Sequence, residues 1–465
     1  MASIHLVLIF ILASVMAQAA DQNAGETQLG IQLNYQKRTL PNGLVIILAE
    51  DHTVPLVSFQ TWYKVGSVDE VPGITGISHL FEHLMFKGTP KYGPRKFFEE
   101  LESKGAEINA YTTRDYTVYY ETFASHMLAK VVDLEADRMA NLTLTDEILN
   151  NEKRVVLEER RLQTDNSPEG KMQEVIWQLA YRYHPYQWPV IGYPKDVMAI
   201  TLTQLLNYFK SYYQPANAAL VVVGDFKTED LFTLLTKSYE KIPSVPRPKR
   251  KIPDEFPQGE ERRLILRDQI LSERIVLAYH VCAGDNEDSY ALDIAANILF
   301  QGTSSRAYRR LVEEKGIMSG ITGSAYTPTY PGLFIVAGTL KGKASSGLAE
   351  AELSKLMNEL KEETGGVAGA PGGVPSGVPS GVPSGVTDEE IRVAVKQLTL
   401  QLADSIRTPH GLGQLIGTVQ TIFGDPKRFV GDLAKYSKVK AADVQRVAQK
   451  YFDPNNRVVV TLVPK

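Results

Sequence analysis

Cysteine is almost absent: Cys282 is the only one in 465 residues. That excludes an intrachain disulfide and a cysteine-built metal cluster, so hydrophobic cores must hold the fold. Positive charge is not in surplus either, with 50 Lys and Arg against 54 Asp and Glu and a formal net charge of -4. Nucleic-acid binding therefore has no electrostatic footing. Long apolar runs are missing after the first twenty residues, so no later segment reads as a membrane-crossing helix. What is present is 43% hydrophobic and 22% charged. That is the balance of a folded chain with room for roughly two to four domains of about 150 residues.

The early apolar run "HLVLIFILASVMAQA" ends in Ala17-Gln18-Ala19, the small-x-small pattern that closes an export leader. Its apolar part, Leu6 to Met16, is shorter than the roughly 20 residues a membrane anchor needs. A signal peptide over 1–19, cleaved after Ala19, is expected, with a periplasmic or secreted mature chain. The lack of disulfides suits a bacterial periplasm. Asn141-Leu142-Thr143 matches a glycosylation sequon and is read as chance.

The rest of the chain repeats itself. "YYQPANAALVVV" from Tyr212 resembles "YFDPNNRVVVTL" from Tyr451, placing Tyr212, Pro215 and Asn217 against Tyr451, Pro454 and Asn456. "MFKGT" (85–89) likewise matches "LFQGT" (299–303), and "ESKG" or "EEKG" follows each. The Pro- and charge-rich stretch 241–263 separates the copies as a linker. Each copy opens with strands, continues with helical stretches and closes on the Pro-x-Asn strand. This predicts an α+β fold of two homologous domains, each a mixed or antiparallel sheet covered by helices. The expected bounds are 30–245, a linker at 246–262, and 263–465. The Gly-Val-Pro-Ser repeat at 365–386 belongs to neither unit and reads as a disordered surface insertion.

"GISHLFEHLMF" carries chemistry. Read as a helix, it puts His79 and His83 one turn apart on one face, where both imidazoles reach one metal ion. Glu82 stands beside them and can take a proton from a water without being a ligand. Among Leu80, Phe81, Leu84 and Met85, three desolvated polar groups cost several kcal/mol unless a partner compensates. H-x-x-E-H is the reverse of the commoner H-E-x-x-H order. A catalytic zinc wants a third protein ligand. The acidic stretch "TDEILNNEKRVVLEERRLQTD" offers it, since Glu152 and Glu159 lie seven apart on one helix face and Glu158 points elsewhere. The plain alternative for that helix is a solvated acidic face.

Together, His79-x-x-Glu82-His83, the stretch "NEKRVVLEER", "GAEINAYTTRDYTVYY" and "HPYQWPVIGYPKDV" resemble the pitrilysin, or inverzincin (M16-type), family of zinc metallopeptidases. That family includes the mitochondrial processing peptidase β-subunit. The resemblance implies one Zn2+ per chain held by His79, His83 and Glu159. It implies Glu82 as the residue that activates water and Glu152 in a supporting role. It also implies that a peptide adds as a strand to the edge "EINAY", with Asn109 and the backbone of Ala110 nearest the scissile bond.

The second copy departs from that pattern. Aligning MFKGT with LFQGT sets Asp293, Ala296 and Asn297 opposite His79, Glu82 and His83, so this copy has no metal motif. In the family, the non-metal half supplies an Arg and a Tyr seven residues apart that help bind substrate and stabilise the oxyanion. Val312 and Ser319 stand at those positions here. The expectation is a heterodimer with a same-fold chain that lacks the metal motif and carries the pair. The alternatives are Arg309 or Arg310 with Tyr308 as substitutes, or a homodimer. A non-catalytic core subunit of the same fold, and a zinc hydrolase of other substrates, are the competing functions.

Overall fold

The computed structural model describes residues 34–363 and 385–465. The expected leader at 1–19 and nearly all of the 365–386 repeat lie outside the described residues.

Two sheets form, one per half. The first contains β1 (Gln36–Thr39), β2 (Val45–Glu50), β3 (Leu56–Tyr63), β4 (Glu107–Thr112), β5 (Thr117–Ala124) and β6 (Ala218–Gly224). The second contains β7 (Arg262–Asp268), β8 (Arg274–His280), β9 (Met318–Tyr326), β10 (Leu333–Leu340) and β11 (Arg457–Pro464). Strand order is β1-β2-β6-β3-β5-β4 in the first and β7-β11-β8-β10-β9 in the second. Without β1, the two orders coincide element for element. Each sheet is mixed in the same way, with β2 parallel to β6, β7 parallel to β11, and the other pairs antiparallel.

The repeated Tyr-x-x-Pro-x-Asn segment does the same work in both halves. The Asn217 side-chain amide donates to Tyr212 O (2.8 Å) at the preceding helix end and to Lys64 O (3.4 Å). Asn456 donates to Tyr451 O (2.8 Å) and His280 O (2.9 Å). Each asparagine thus satisfies a helix-end carbonyl and ties the turn to its neighbouring strand. The strand that follows Asn217, β6, is buried along its whole length, as an unbroken apolar run in a two-sided sheet requires.

One face of the first sheet packs Phe59, Tyr63, Tyr119 and Phe123 against helices of its own half. Its other face, with Ile47, Trp62, Val118 and Val221, is covered from the second half by the helix Pro409–Phe423 through Ile416. In return, the helix Pro168–Ala180 lays Met172, Ile176 and Trp177 on Val276, Ala278, Val458 and Val460 of the second sheet. Burying each such side chain stabilises by about 1.5–3 kcal/mol, so neither sheet is complete without the other half. The approach is close because Gly417 faces Trp62, where a Cβ would sit 2.0 Å from the indole.

The connecting stretch is pinned as well. Arg250 forms a two-pronged ion pair with the buried Asp69 (2.6 and 2.6 Å) and donates to Asp115 O (3.0 Å). Asp115 in turn accepts from Tyr186 Oη (2.8 Å) and from Thr329 N of the second half (3.1 Å). No helix among the described residues is long and apolar enough to cross a membrane.

Candidate metal centre

The helix Ile77–Leu84 buries Ile77, Leu80, Phe81 and Leu84, the i, i+3, i+4, i+7 stripe that faces a core. Phe81 stacks on Tyr213 with ring centres 4.6 Å apart. The helix start is held by an upstream carboxyl group, since Glu70 accepts from Gly76 N (2.8 Å) and Ser78 N (2.9 Å). Two otherwise unsatisfied helix-end donors are met in this way. The packing fixes the rotation of the helix and turns His79 and His83 toward a second helix, Asp146–Arg160. That helix is capped by Thr145, whose hydroxyl accepts from Ile148 N (3.2 Å).

Among the described residues, His79, His83 and Glu159 gather as a group of metal-ligating side chains, with one donor atom from each lying within 4.8 Å of the others. Glu159 Oε2 is 3.2 Å from His83 Nε2 and 3.8 Å from His79 Nε2. A tetrahedral ion with bonds of about 2.1 Å separates its donors by about 3.4 Å, a value these distances bracket. His79 Nδ1 is buried without a hydrogen-bond partner, and the buried Glu159 Oε2 faces both imidazole Nε2 atoms. Two imidazoles and one carboxylate form a donor set suited to zinc, and the buried Glu159 oxygen faces both imidazoles. The residues fit the metal.

Electrostatics agree. Burial pushes His79 down, which keeps its imidazole neutral as a ligand must be. Burial would also lower His83, but hydrogen bonds to Glu152 and Glu159 outweigh it and raise His83 to about 9. A surplus of negative charge therefore surrounds His83, a surplus that a dication can balance in place of a proton.

The remaining expected residues fall in place around this group. Glu152 Oε1 is 2.9 Å from His83 Nδ1, and Glu152 is buried. Glu82 is not a member of the trio, and its Oε2 accepts from Thr112 Oγ1 (2.7 Å). Glu158 turns outward to an exposed pair with Arg161 (2.6 Å). Thr112 lies on β4, the last strand of its sheet, which is bonded to β5 alone. Asn109 and Ala110 sit on that open edge, where Asn109 Oδ1 accepts from Ala110 N (2.8 Å).

Three other side chains join the site that the motif does not point to. Thr112 steadies Glu82. Lys87 Nζ lies 2.6 Å from Glu152 Oε2. Gln163 Nε2 donates to Glu159 Oε1 (2.8 Å) from a π-helical turn, Arg161–Asp165. For Lys87 a signal does exist in the sequence, because the repeated FKGT becomes FQGT in the copy without metal ligands.

Family profiles described as "Insulinase (Peptidase family M16)" and "Peptidase M16 inactive domain" match residues 45–193 and 199–367. The chain is 34% identical over 291 residues to the zinc protease PqqE of Helicobacter pylori, a match that takes in 61% of this chain and 65% of that protein. It is 28% identical over 283 residues to the uncharacterized zinc protease YmxG of Bacillus subtilis, covering 61% of this chain and 68% of that one. The crystal structure of a protease from Helicobacter pylori superposes with a TM-score of 0.84 at 27% identity, covering 93% of this chain and 99% of that one.

Proposed function

We propose, from the premise that the chain belongs to the insulinase family of peptidases, M16, that it is a zinc-dependent endopeptidase subunit acting on peptides or unfolded segments. The observation that carries this is the convergence of His79, His83 and Glu159 within 4.8 Å, with Glu82 beside them.

His79 and His83, through Nε2, and Glu159, through Oε2, would hold one zinc. When bound, the ion supplies Lewis acidity that polarises a peptide carbonyl and acidifies a water. Glu82 takes the proton of the attacking water at Oε1, the oxygen left free by Thr112. It hands that proton to the amide nitrogen as the C–N bond breaks. The open edge of β4 offers backbone groups at Ala110 to an extended peptide, pairing that is largely blind to sequence.

The Arg and Tyr that the family resemblance implies for the developing oxyanion are missing at their expected positions. Val312 and Ser319 replace the Arg and Tyr. Arg310 is engaged by Glu359 (Nη1 to Oε1, 2.5 Å), which speaks against its substituting. The reading therefore includes a same-fold partner without the metal motif but with the Arg/Tyr pair. The leader-like N-terminus supports export to the periplasm or beyond. The test is Glu82→Gln, assayed with and without candidate partner chains. Zinc stays bound at one per chain while hydrolysis falls at least a hundredfold. Unchanged hydrolysis removes Glu82 from its role, and full activity of the pure chain removes the partner.

A further inference from the structure

Two of the three candidate ligands are braced by side chains that the second half of the same molecule does without. The second half builds the same pair of helices, Asp288–Phe300 and Asp388–Ser405. It keeps the pieces that shape them. The N-cap Thr387 repeats Thr145, and its hydroxyl accepts from Glu390 N (3.2 Å). Gly302 repeats Gly88 in the left-handed region, with φ of +74° and +95°. Aligned on FKGT and FQGT, Lys87 becomes Gln301. Aligned on the capping threonines, Glu152 becomes Ala394, Glu159 becomes Gln401 and Gln163 becomes Ser405. The ligands and their braces are replaced together, while caps and turns remain.

We infer that Lys87 and Gln163 are positioning residues that preset the metal ligands. This rests on the zinc reading above. Lys87 draws one oxygen of the buried Glu152, which leaves the other to accept from His83 Nδ1 and aims the His83 Nε2 lone pair at the site. Gln163 holds Glu159 Oε1 and so leaves Oε2 facing both imidazoles. A ligand whose far side is pinned does not have to be ordered when the ion arrives, and losing such a partner typically costs 10–100-fold in affinity. His79 has no such brace, since its Nδ1 is unpartnered.

The experiment measures zinc affinity of the full chain by competition with a chromogenic chelator, together with the melting temperature of the metal-stripped protein. Lys87→Gln, the residue of the second copy, weakens zinc by about tenfold or more, and Gln163→Ala weakens it by about threefold or more. Lys87→Arg restores most of the affinity, and the metal-free melting temperature stays within about 2 °C. Unchanged affinity in both variants overturns the inference. A fall in metal-free stability that accounts for the loss overturns it too, because the residues would then serve the fold. If the unaltered chain binds no zinc, the proposed function fails first, and that result is distinct from either of the others.

Discussion

The two halves share a sheet order, a helix pair and a closing Pro-x-Asn turn, yet among the described residues one gathers candidate metal ligands and the other does not. Where His79 stands in the first half, Asp293 in the second accepts from Tyr436 Oη (2.5 Å), and burial pushes its carboxyl up to about 6. The scaffold therefore tolerates a half-buried polar group at that place. The residues of the candidate centre are among those that differ between the halves. Those that agree are caps, turns and the bridging asparagines. A metal held by the first half would be added to a scaffold that the second half builds without those ligands.

The largest effect comes from erasing that difference. Giving the first half the residues of the second, His83→Asn with Glu159→Gln, removes two of three ligands without introducing a side chain the fold has not already accepted. Zinc binding is lost, and peptide hydrolysis falls at least a thousandfold. The metal-free melting temperature moves by only about 2–4 °C. Equilibrium dialysis with metal analysis and calorimetry check the two halves of this statement. Collapse of the metal-free protein would mean that the ligands also hold the fold.

Much of this comparison was legible in the sequence because it rests on local spacing. His79, Glu82 and His83 share a helix face whatever surrounds them, and Glu152 and Glu159 stack at seven residues. Thr145 marks its helix start by itself. Long-range contacts were not legible. The pattern of Pro409–Phe423 shows an amphipathic helix but does not say that its apolar face lies on the other half's sheet against Trp62. The stretch 241–263 reads as a linker by composition, and nothing local reveals that Arg250 reaches Asp69. Gln163 is spaced to reach Glu159, yet the sequence does not mark the π-helical turn on which it sits.

The connection between the halves is the next place to break. The Asp69 side chain is fully buried, and Arg250 is its two-pronged partner, with Arg247 at 3.1 Å as a second cation. Arg250→Ala leaves a buried carboxylate under-compensated and frees Asp115, which contacts Tyr186 and Thr329 across the junction. Breaking a buried pair of this kind costs about 3–5 kcal/mol, and Arg247 keeps the loss toward the lower end. Urea unfolding shows the midpoint fall. It also shows whether the halves still unfold in one transition, as their exchanged helices require. An unchanged midpoint would reduce the ion pair to ornament.

The smallest effect sets the halves against each other in pH. In the first half, burial raises the Glu70 carboxyl from an ordinary 4.5 to about 8. The folded state then holds a proton that the unfolded chain releases near 4.5. The stabilisation is full below that pH and is lost as pH rises through about 8. In the second half, burial alone would raise Asp288. Hydrogen bonds from Lys450, Tyr451 and Arg446 outweigh it and hold the carboxyl at about 2, below an ordinary 3.8. That stabilisation is full above about 4 and is lost as pH falls toward 2. Melting temperature followed across pH thus declines on both arms for different reasons. Glu70→Gln flattens the alkaline arm by a few degrees and leaves the acid arm alone, and Asp288→Asn does the reverse. If both substitutions flatten the same arm, the two carboxyls do not report on separate halves, and the exchanged helices have merged the two titrations into one.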